Sequence, residues 1–351
     1  MKLTRTYLAL IATTFFLAAC NTNKVEIPHW DYENAGNTAT TEDGDSLVKY
    51  PDPKTAKVKT LQTEGFFKET KIREGITLYS AEKVYDRDIT KGYQTIFALE
   101  IDLNNKNYEV EFYYGQSDTT SAIGKKNKAI AAVNACYELE AIYCKTNGVV
   151  HGTCTLDPNH LRFWKHEAAI VSDGARKIGI IHGAKGTATH KLGGIQALEI
   201  YAKLKEPNIF ASAPMLIDDF SPVGASYVPE YYTSAELSKL DGEDWPRHQG
   251  VRHPRVAAAL TDDNDLLLVV VDGRFSGKAE GMNAKELTNF LVKHFNPRWA
   301  INMDGGGSST MWIDGYGDSV NNVLNYPADN KTWDHYGQRK RPSVFLIKEA
   351  K

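Results

Sequence analysis

Short apolar runs, many of them alternating with polar residues, recur along most of the chain and are typical of β-strands. They cover residues 93–103, 107–115, 129–135, 168–174, 176–183, 196–203, 254–260, 265–273, 298–305, 309–314 and 342–348. They do not follow a repeat of roughly 20–50 residues, so a solenoid or a propeller is not expected. The pattern predicts an α+β fold with a strand-rich mixed sheet and few helices.

Helical signals are concentrated in one stretch, residues 283–295. Asn283 is a favourable N-cap, and Glu286 three residues later completes the pattern of a capping box. Apolar residues then recur at helical spacing until Asn296-Pro297 ends the helix. A weaker helical pattern covers residues 233–243.

The predicted helix lies between two apolar runs that both end in Asp-Gly. Residues 265–303 are therefore predicted to form a β-α-β unit with parallel strands. Since parallel strands end at one edge of a sheet, Asp272 and Asp304 are expected to face one cleft. Adjacent strands would lie about 5 Å apart, or about 10 Å with a strand between them, and either spacing suits two carboxylates around one substrate. The alternative is that both Asp-Gly pairs are simple turns.

The N-terminus has the features of an export signal. Lys2 and Arg5 precede an apolar run, residues 7–19, that is shorter than the roughly 20 residues of a membrane-spanning helix. The run ends in Leu-Ala-Ala-Cys20, which resembles the lipobox of bacterial lipoproteins. The resemblance implies cleavage before Cys20, lipid attachment to it, and a place in the cell envelope, at the outer membrane. An ordinary signal peptide with a chance cysteine is the alternative.

Composition divides the rest of the chain into two parts. Residues 20–60 are rich in Asn, Thr, Asp, Lys and Pro without sustained periodicity, which predicts a lipidated tether. Residues 61–351 are expected to form one folded domain, because 42% of the chain is hydrophobic and this length can bury a substantial core.

Charge is nearly balanced, with 41 Lys and Arg against 44 Asp and Glu. A nucleic-acid partner is not expected, because such proteins carry a basic excess or a basic face. Acidic or phosphate-bearing substrates remain possible, since they need only a few local cations.

Cys136, Cys144 and Cys154 remain inside the domain, and Cys136–Cys144 is the preferred disulfide because it closes a short loop. Buried free cysteines are the alternative.

The second Asp-Gly pair continues into a glycine-rich run, Asp-Gly-Gly-Gly-Ser-Ser-Thr at residues 304–310. The run lacks the lysine of a phosphate-binding Walker loop and the final glycine of a nucleophile elbow. What remains is a backbone nest for an anionic oxygen, in which hydroxyls supplement successive N–H groups. Its predicted members are Gly305, Gly306, Gly307, Ser308 and Ser309.

Several segments together closely resemble the phosphodiester glycosidase family. They are Arg-His-Pro-Arg at 252–255, Val-Val-Val-Asp-Gly-Arg at 269–274, the glycine-rich run with its preceding Asn-Met, and Arg-Pro-Ser-Val-Phe-Leu-Ile at 341–347. The resemblance extends from about residue 75 onward. Residues 131–138 and 211–218 resemble two more family segments but depart from them, with Ala135-Cys136-Tyr137 for Gly-Gly-Phe and Ser212-Ala213 for Gly-Gly. These departures concern the shape of the substrate pocket more than the reaction centre.

The resemblance implies hydrolysis of the bond between a sugar's anomeric carbon and a phosphodiester oxygen, without a cofactor. A phosphodiester leaving group is acidic, so the site needs a phosphate clamp and a carboxylate that attacks or activates water. Asp304 and Asp272 are the candidate carboxylates, with Glu138 as a weaker third. Arg255 is the candidate bidentate clamp, and Asn134 and Arg274 are candidate substrate-binding residues.

Two other classes of protein remain open. One is a metal-dependent phosphodiesterase in which the two aspartates and nearby histidines hold a cation. The ten histidines lack paired metal-binding spacing, so no metal is expected. The other is a glycan-binding lipoprotein without catalytic activity.

Overall fold

The computed structural model describes residues 48–54, 65–174, 176–183, 191–226 and 232–350. The described residues form sixteen strands: β1 (Lys68–Arg73), β2 (Ile76–Asp86), β3 (Gly92–Asp102), β4 (Tyr108–Asp118), β5 (Ala131–Asn134), β6 (Tyr143–Thr146), β7 (Val149–Thr153), β8 (Ala168–Ser172), β9 (Ile178–His182), β10 (Asn208–Ser212), β11 (Met215–Ile217), β12 (Arg255–Leu260), β13 (Asp265–Val271), β14 (Trp299–Met303), β15 (Met311–Ile313) and β16 (Arg341–Glu349). They also form five α-helices: α1 (Thr120–Lys126), α2 (Lys191–Lys203), α3 (Ser234–Leu237), α4 (Trp245–Gly250) and α5 (Ala284–His294). The lipobox and most of the predicted tether lie outside the described residues.

Three sheets make up the fold, and the predicted strand-rich α+β class is confirmed. Their strand orders are β1-β2-β3-β13-β12-β14-β11, β7-β6-β10-β8-β9 and β15-β5-β16-β4. Hydrogen-bonded neighbours in the described sheets are antiparallel. The strands β13 and β14 run parallel to each other, as the β-α-β pattern predicted, but the antiparallel β12 lies between them.

The centre of the seven-stranded sheet is buried on both faces, which explains the continuous apolar runs. Leu266, Leu268 and Val270 of β13 join the large core between the sheets. The alternate residues of the same strand join a second cluster, on the face that α5 covers. The capping box predicted for α5 is present, since the Asn283 side chain accepts from the Glu286 N–H at 2.8 Å.

One local prediction was wrong, and another was confirmed only in part. The run 196–203 is the C-terminal part of helix α2, in which Ala197 and Tyr201 are buried at helical rather than alternating spacing, followed by the buried Leu204 just after the helix. The pattern at 233–243 yields only the one-turn helix α3, because few of its residues are buried against the domain.

The cysteines also differ from the prediction, since Cys136, Cys144 and Cys154 are all free and buried. The Cys136 and Cys144 side chains are hydrogen-bonded to each other, so burial and packing, not a covalent bond, join the two segments.

The segment 48–54, assigned above to the tether, packs on the domain. Val48 is buried against Gly179 of β9, and the Tyr50 hydroxyl donates to Glu206 at 2.9 Å. Within the part of the chain that the structure describes, no helix has the length and apolar character needed to cross a membrane.

Candidate active site

A cavity of about 290 Å³ lies where β13 and β14 end and β12 begins. Six cationic side chains and three carboxylates line it, so it suits an anionic ligand. The lining residues are Tyr137, Glu138, Lys165, Gly242, Glu243, Arg247, His248, His253, Pro254, Arg255, Arg274, Asp304, Gly305, Gly306, Gly307, Arg339 and Arg341.

The glycine after each aspartate allows close backbone packing beside the cavity. A Cβ on Gly273 would lie 2.6 Å from the Pro254 nitrogen, and a Cβ on Gly305 would lie 2.6 Å from the Pro254 carbonyl oxygen. Because β12 runs between β13 and β14 in the opposite direction, its first residues pass between the two Asp-Gly ends. The repeated dipeptide therefore reflects close approach to one shared segment rather than two hairpin turns.

Asp304 reaches the cavity, as predicted, and is only 4% exposed. Its Oδ2 lies 2.8 Å from Arg341 Nε. The Arg341 N–H points instead at the Ser308 hydroxyl, 2.8 Å away, so the contact with Asp304 is an ion pair without hydrogen-bond alignment. Burial raises the pKa of Asp304 to about 6, against the opposing effect of the Arg341 charge. Asp304 can therefore gain or lose a proton near neutral pH.

Glu138 is the second carboxylate of the site. It follows β5, accepts from Lys165 Nζ at 3.1 Å, and lies 3.5 Å from Arg341. Burial opposes its ionisation, but the charges of Lys165 and Arg341 outweigh that effect and lower its pKa to about 2. Because one guanidinium contacts both Glu138 and Asp304, the two carboxylates lie within the upper limit of roughly 9.5 Å for a glycosidase pair.

Asp272, predicted as the partner of Asp304, does not line the cavity. Its two carboxylate oxygens accept from the Asn325 side chain at 2.8 Å and the Tyr326 N–H at 2.9 Å. Its pKa is raised by burial to about 7. The carboxylate therefore fixes the segment around residue 325.

Strand register explains why the two aspartates separate. On β12, Arg255 pairs with Val271 whereas Val256 pairs with Met303. Relative to β12, Asp272 is therefore one residue further along β13 than Asp304 is along β14. A shift of one residue turns a side chain to the other face of the pleat. The two Asp-Gly signals match in sequence but not in register.

Arg255, predicted as the phosphate clamp, lines the cavity but is largely committed to the scaffold. Its Nε donates to the Met282 carbonyl at 2.9 Å, and the same terminal nitrogen donates to the His248 and Val251 carbonyls at 2.6 and 3.1 Å. Three bonds to backbone oxygens hold the start of β12 against α4. Burial lowers its pKa to about 10. Most of the guanidinium donors predicted to bind phosphate are therefore already used.

Arg274 is the better-placed cation. It lines the cavity, and neither a carboxylate nor a carbonyl of the described residues pairs with it. Its φ of 72° is in the left-handed region, a strained conformation for a residue with a side chain and one that is concentrated at functional sites. A Cβ on Gly306 would lie 3.2 Å from the Arg274 guanidinium, so the absence of a side chain at Gly306 leaves room for that guanidinium. Arg339, also in the lining, is paired with Asp329 at 2.8 Å.

The predicted nest is only partly formed. The Gly306 N–H donates to the Pro254 carbonyl at 2.8 Å. The N–H groups of Gly305 and Gly307 have no acceptor among the described residues, and both glycines line the cavity. Two donors therefore remain for a ligand.

The serines and Asn134, predicted to bind substrate, do not line the cavity. Ser308 accepts from Arg341, and the Ser309 carbonyl accepts from Asn325. Asn134 donates to the Asp304 carbonyl at 2.7 Å and accepts from the Thr310 N–H at 2.8 Å. These residues position the glycine-rich run.

Sequence reasoning missed several lining residues. Lys165 and Arg341 form the ion pairs with the carboxylates of the site. Arg341 is the first residue of the family-like segment 341–347. His248 and His253 also line the cavity, where burial lowers the pKa of each below its usual value. Among the described residues, no group of histidines, cysteines and carboxylates could hold a metal ion.

The fold and the site define a member of a known class. The chain belongs to the phosphodiester glycosidase family, whose sequence model matches residues 127–348, more than half of the chain.

The structure of the chain is similar to that of the zebrafish N-acetylglucosamine-1-phosphodiester alpha-N-acetylglucosaminidase catalytic domain, auto-inhibited by its pro-peptide. The two have a TM-score of 0.53 and 16% identity over 83% of this chain and 87% of that one. It is also similar to a hypothetical protein from Synechocystis, with a TM-score of 0.50 and 14% identity over 81% of this chain and 64% of that one. At these identities the likeness shows the fold alone. No curated protein matches the chain in sequence.

Proposed function

We propose that the protein hydrolyses the glycosidic bond between a sugar's anomeric carbon and a phosphodiester. The observation that carries the proposal is the pair Glu138 and Asp304, which share Arg341 in a cationic cavity and have pKa values of about 2 and about 6. Two carboxyl groups whose environments separate their pKa values are typical of acid–base sites. Membership of the phosphodiester glycosidase family supports the same chemistry.

The two carboxylates suit different roles. Glu138 stays ionised and is a poor base, so it stabilises positive charge that develops at the anomeric carbon. Asp304, with a pKa of about 6, is ionised at neutral pH and basic enough to accept a proton from an attacking water. The bond between the anomeric carbon and the phosphate oxygen breaks, and the phosphate leaves as a phosphomonoester anion without a general acid. Arg274 and the N–H groups of Gly305 and Gly307 are the donors that receive it.

A product assay on a panel of sugar-1-phosphodiesters tests the proposal. Free sugar together with a phosphomonoester is the expected result, whereas sugar-1-phosphate as product would indicate phosphodiesterase chemistry.

Asp304→Asn removes the base and should lower kcat by about 10²–10⁴-fold with binding retained. The kcat of the wild type should rise with pH through about 6, as Asp304 loses its proton. A pH-independent kcat between pH 5 and 8 would remove Asp304 from the base role.

We further propose that the protein acts at the cell envelope, anchored by lipid on Cys20. Support comes from the sequence at residues 1–20, where a basic start and an apolar run precede Leu-Ala-Ala-Cys. Cys20→Ser should abolish palmitate labelling and move the protein out of the membrane fraction. Undiminished labelling of that variant would contradict the anchor.

A further inference from the structure

An aromatic stack stands beside the cavity. The rings of Tyr326 and Trp333 are parallel, with centroids 3.8 Å apart, and Phe275 meets Trp333 edge-on at 5.0 Å. The Tyr326 N–H is fixed by the Asp272 carboxylate, and its hydroxyl donates to Glu82 at 3.2 Å. The stack is therefore held at both ends of Tyr326 and presents Trp333 in a defined position.

Two lysines converge on the same tryptophan. Lys278 Nζ lies 5.3 Å and Lys83 Nζ 5.8 Å from the Trp333 ring centroid. Thr95 joins their backbones, because its hydroxyl accepts from the Lys83 N–H at 3.0 Å and donates to the Lys278 carbonyl at 3.1 Å. Neither ammonium pairs with a carboxylate of the described residues within 4.0 Å. Two like charges over one ring repel each other, and an anion bound between them would relieve that repulsion.

Two segments of the chain connect this lysine–tryptophan surface, formed by Lys83, Lys278 and Trp333, to the side of the cavity assigned to the leaving phosphate. Phe275, which touches Trp333, directly follows Arg274 in the chain. The segment that carries Trp333 also carries Arg339, another cation of the cavity lining. A ligand that extended from the cavity along Arg274 and Phe275 would approach Trp333 and its two lysines.

We infer that the lysine–tryptophan surface binds a second phosphate, so that the substrate is a chain of sugars joined by repeated phosphodiesters rather than a single sugar-1-phosphodiester. The inference rests on the proposed function. An ammonium acts as a point charge on phosphate, and two of them suit a diester whose orientation varies along a flexible chain. The first phosphate is held by Arg274 and the glycine N–H groups, and the second lies between Lys83 and Lys278.

Two synthetic substrates with the same sugar test the inference, one with a single phosphodiester and one with three repeats. The wild type should cleave the longer substrate with a kcat/KM about tenfold higher, mainly through KM, since a hydrogen bond to a charged group contributes about that factor. The double substitution Lys83→Gln/Lys278→Gln should remove this preference and leave kcat/KM on the short substrate unchanged. Lys83→Arg/Lys278→Arg, which keeps both charges, should retain most of it.

A matched control separates the local effect from a change in net charge. Lys68→Gln/Lys71→Gln removes two exposed lysines of β1 and should leave the preference intact. Cleavage of the short substrate with no preference for the longer one would overturn the inference and leave the proposed function standing. A preference that survives in the Lys83→Gln/Lys278→Gln variant would also overturn it. If neither substrate is cleaved, the proposed function fails as well.

Discussion

Glu138 and Asp304 share one cationic partner and still differ in their affinity for protons. Glu138 also contacts Lys165, and 30% of its side chain remains exposed, so its charge is both compensated and partly solvated. Only 6% of the Asp304 side chain is exposed, and Arg341, the cation that pairs with it among the described residues, directs its N–H at Ser308. Desolvation therefore governs Asp304, whereas attraction to cations governs Glu138. The asymmetry that the proposed mechanism uses comes from the second cation on Glu138.

Asp272 is expected to contribute to stability and not to turnover. In Asp272→Asn, the amide can accept one hydrogen bond but presents its NH₂ group to a second donor, either the Asn325 amide or the Tyr326 N–H. Leaving a buried donor unmatched should cost about 1–3 kcal/mol in the free energy of unfolding. Removal of the buried charge, whose pKa burial raises to about 7, opposes this cost at high pH, so urea unfolding should show a larger loss at pH 5 than at pH 8. Turnover of a sugar-1-phosphodiester should fall far less than in Asp304→Asn. Equal losses of kcat in the two variants, with stability unchanged, would restore Asp272 to the catalytic pair.

At the scale of the elements, the cavity depends on how closely three strand ends approach one another. The ends of β13 and β14 are adjacent to the start of β12, and the distances at Gly273 and Gly305 leave no space for a methyl group. The β-α-β unit through α5 brings the two ends to one edge of the sheet, and the antiparallel middle strand separates them. Glycine is required by this packing and not by the backbone angle, since neither residue has a positive φ.

Replacing either glycine should therefore be costly. A Cβ at Gly273 or Gly305 would meet the Pro254 backbone at 2.6 Å, so the strand ends must separate. We expect Gly273→Ala and Gly305→Ala each to lower the free energy of unfolding by about 1–3 kcal/mol, as overpacking usually does. Gly242→Ala is the matched control, because nothing lies within 4 Å of its added Cβ and its φ is not positive. The measurement is urea unfolding of the three variants, and an unchanged midpoint for Gly305→Ala would contradict the close packing.

Much of this arrangement could be predicted from local sequence. The strands β12, β13 and β14 are continuous apolar runs, and the cap of α5 is a pattern of four consecutive residues, so all four elements were predicted. Asp304 and its glycines were likewise local signals. The register that turns Asp272 away is set by pairing with β12 and β3, and no dipeptide encodes it. The contact between Arg341 and Glu138 joins residues 203 positions apart. The helix α2 was missed because alternation and helical spacing are both compatible with its short apolar pattern.

At the scale of the whole molecule, charge is distributed unevenly along the central strand β13. Its last residues lie beside the cationic cavity, and its first residue, Asp265, lies among carboxylates. Asp265 pairs with Asp102 of β3, and Glu100 and Asp263 are close enough to raise its pKa. The net charge of -3 conceals this separation, which places the attraction for anions at the end of the sheet where the candidate site lies.

The acidic end should make stability depend on pH. Burial, followed by repulsion from Glu100, Asp263 and Asp102, raises the pKa of Asp265 to about 8. Since this value lies above the roughly 3.9 of an unfolded aspartate, the folded state binds the proton more tightly, and the stability it confers is lost as the pH rises from about 4 to about 8. Asp265→Asn removes the titration, so the variant should gain stability relative to the wild type over that window. We expect a relative gain on the order of 1–3 kcal/mol between pH 5 and pH 8, less than the full shift implies because Glu100, whose pKa is also raised by burial, titrates with it. Urea unfolding at the two pH values measures it. Asp318→Asn is the control: the N–H groups of Val320 and Asn321 lower the pKa of Asp318, so its contribution to stability is complete above about pH 4. The difference in stability between that variant and the wild type should therefore stay constant between pH 5 and pH 8. An Asp265→Asn variant whose stability changes in parallel with the wild type would show that the carboxylates at this end of the sheet are solvated and carry no strain.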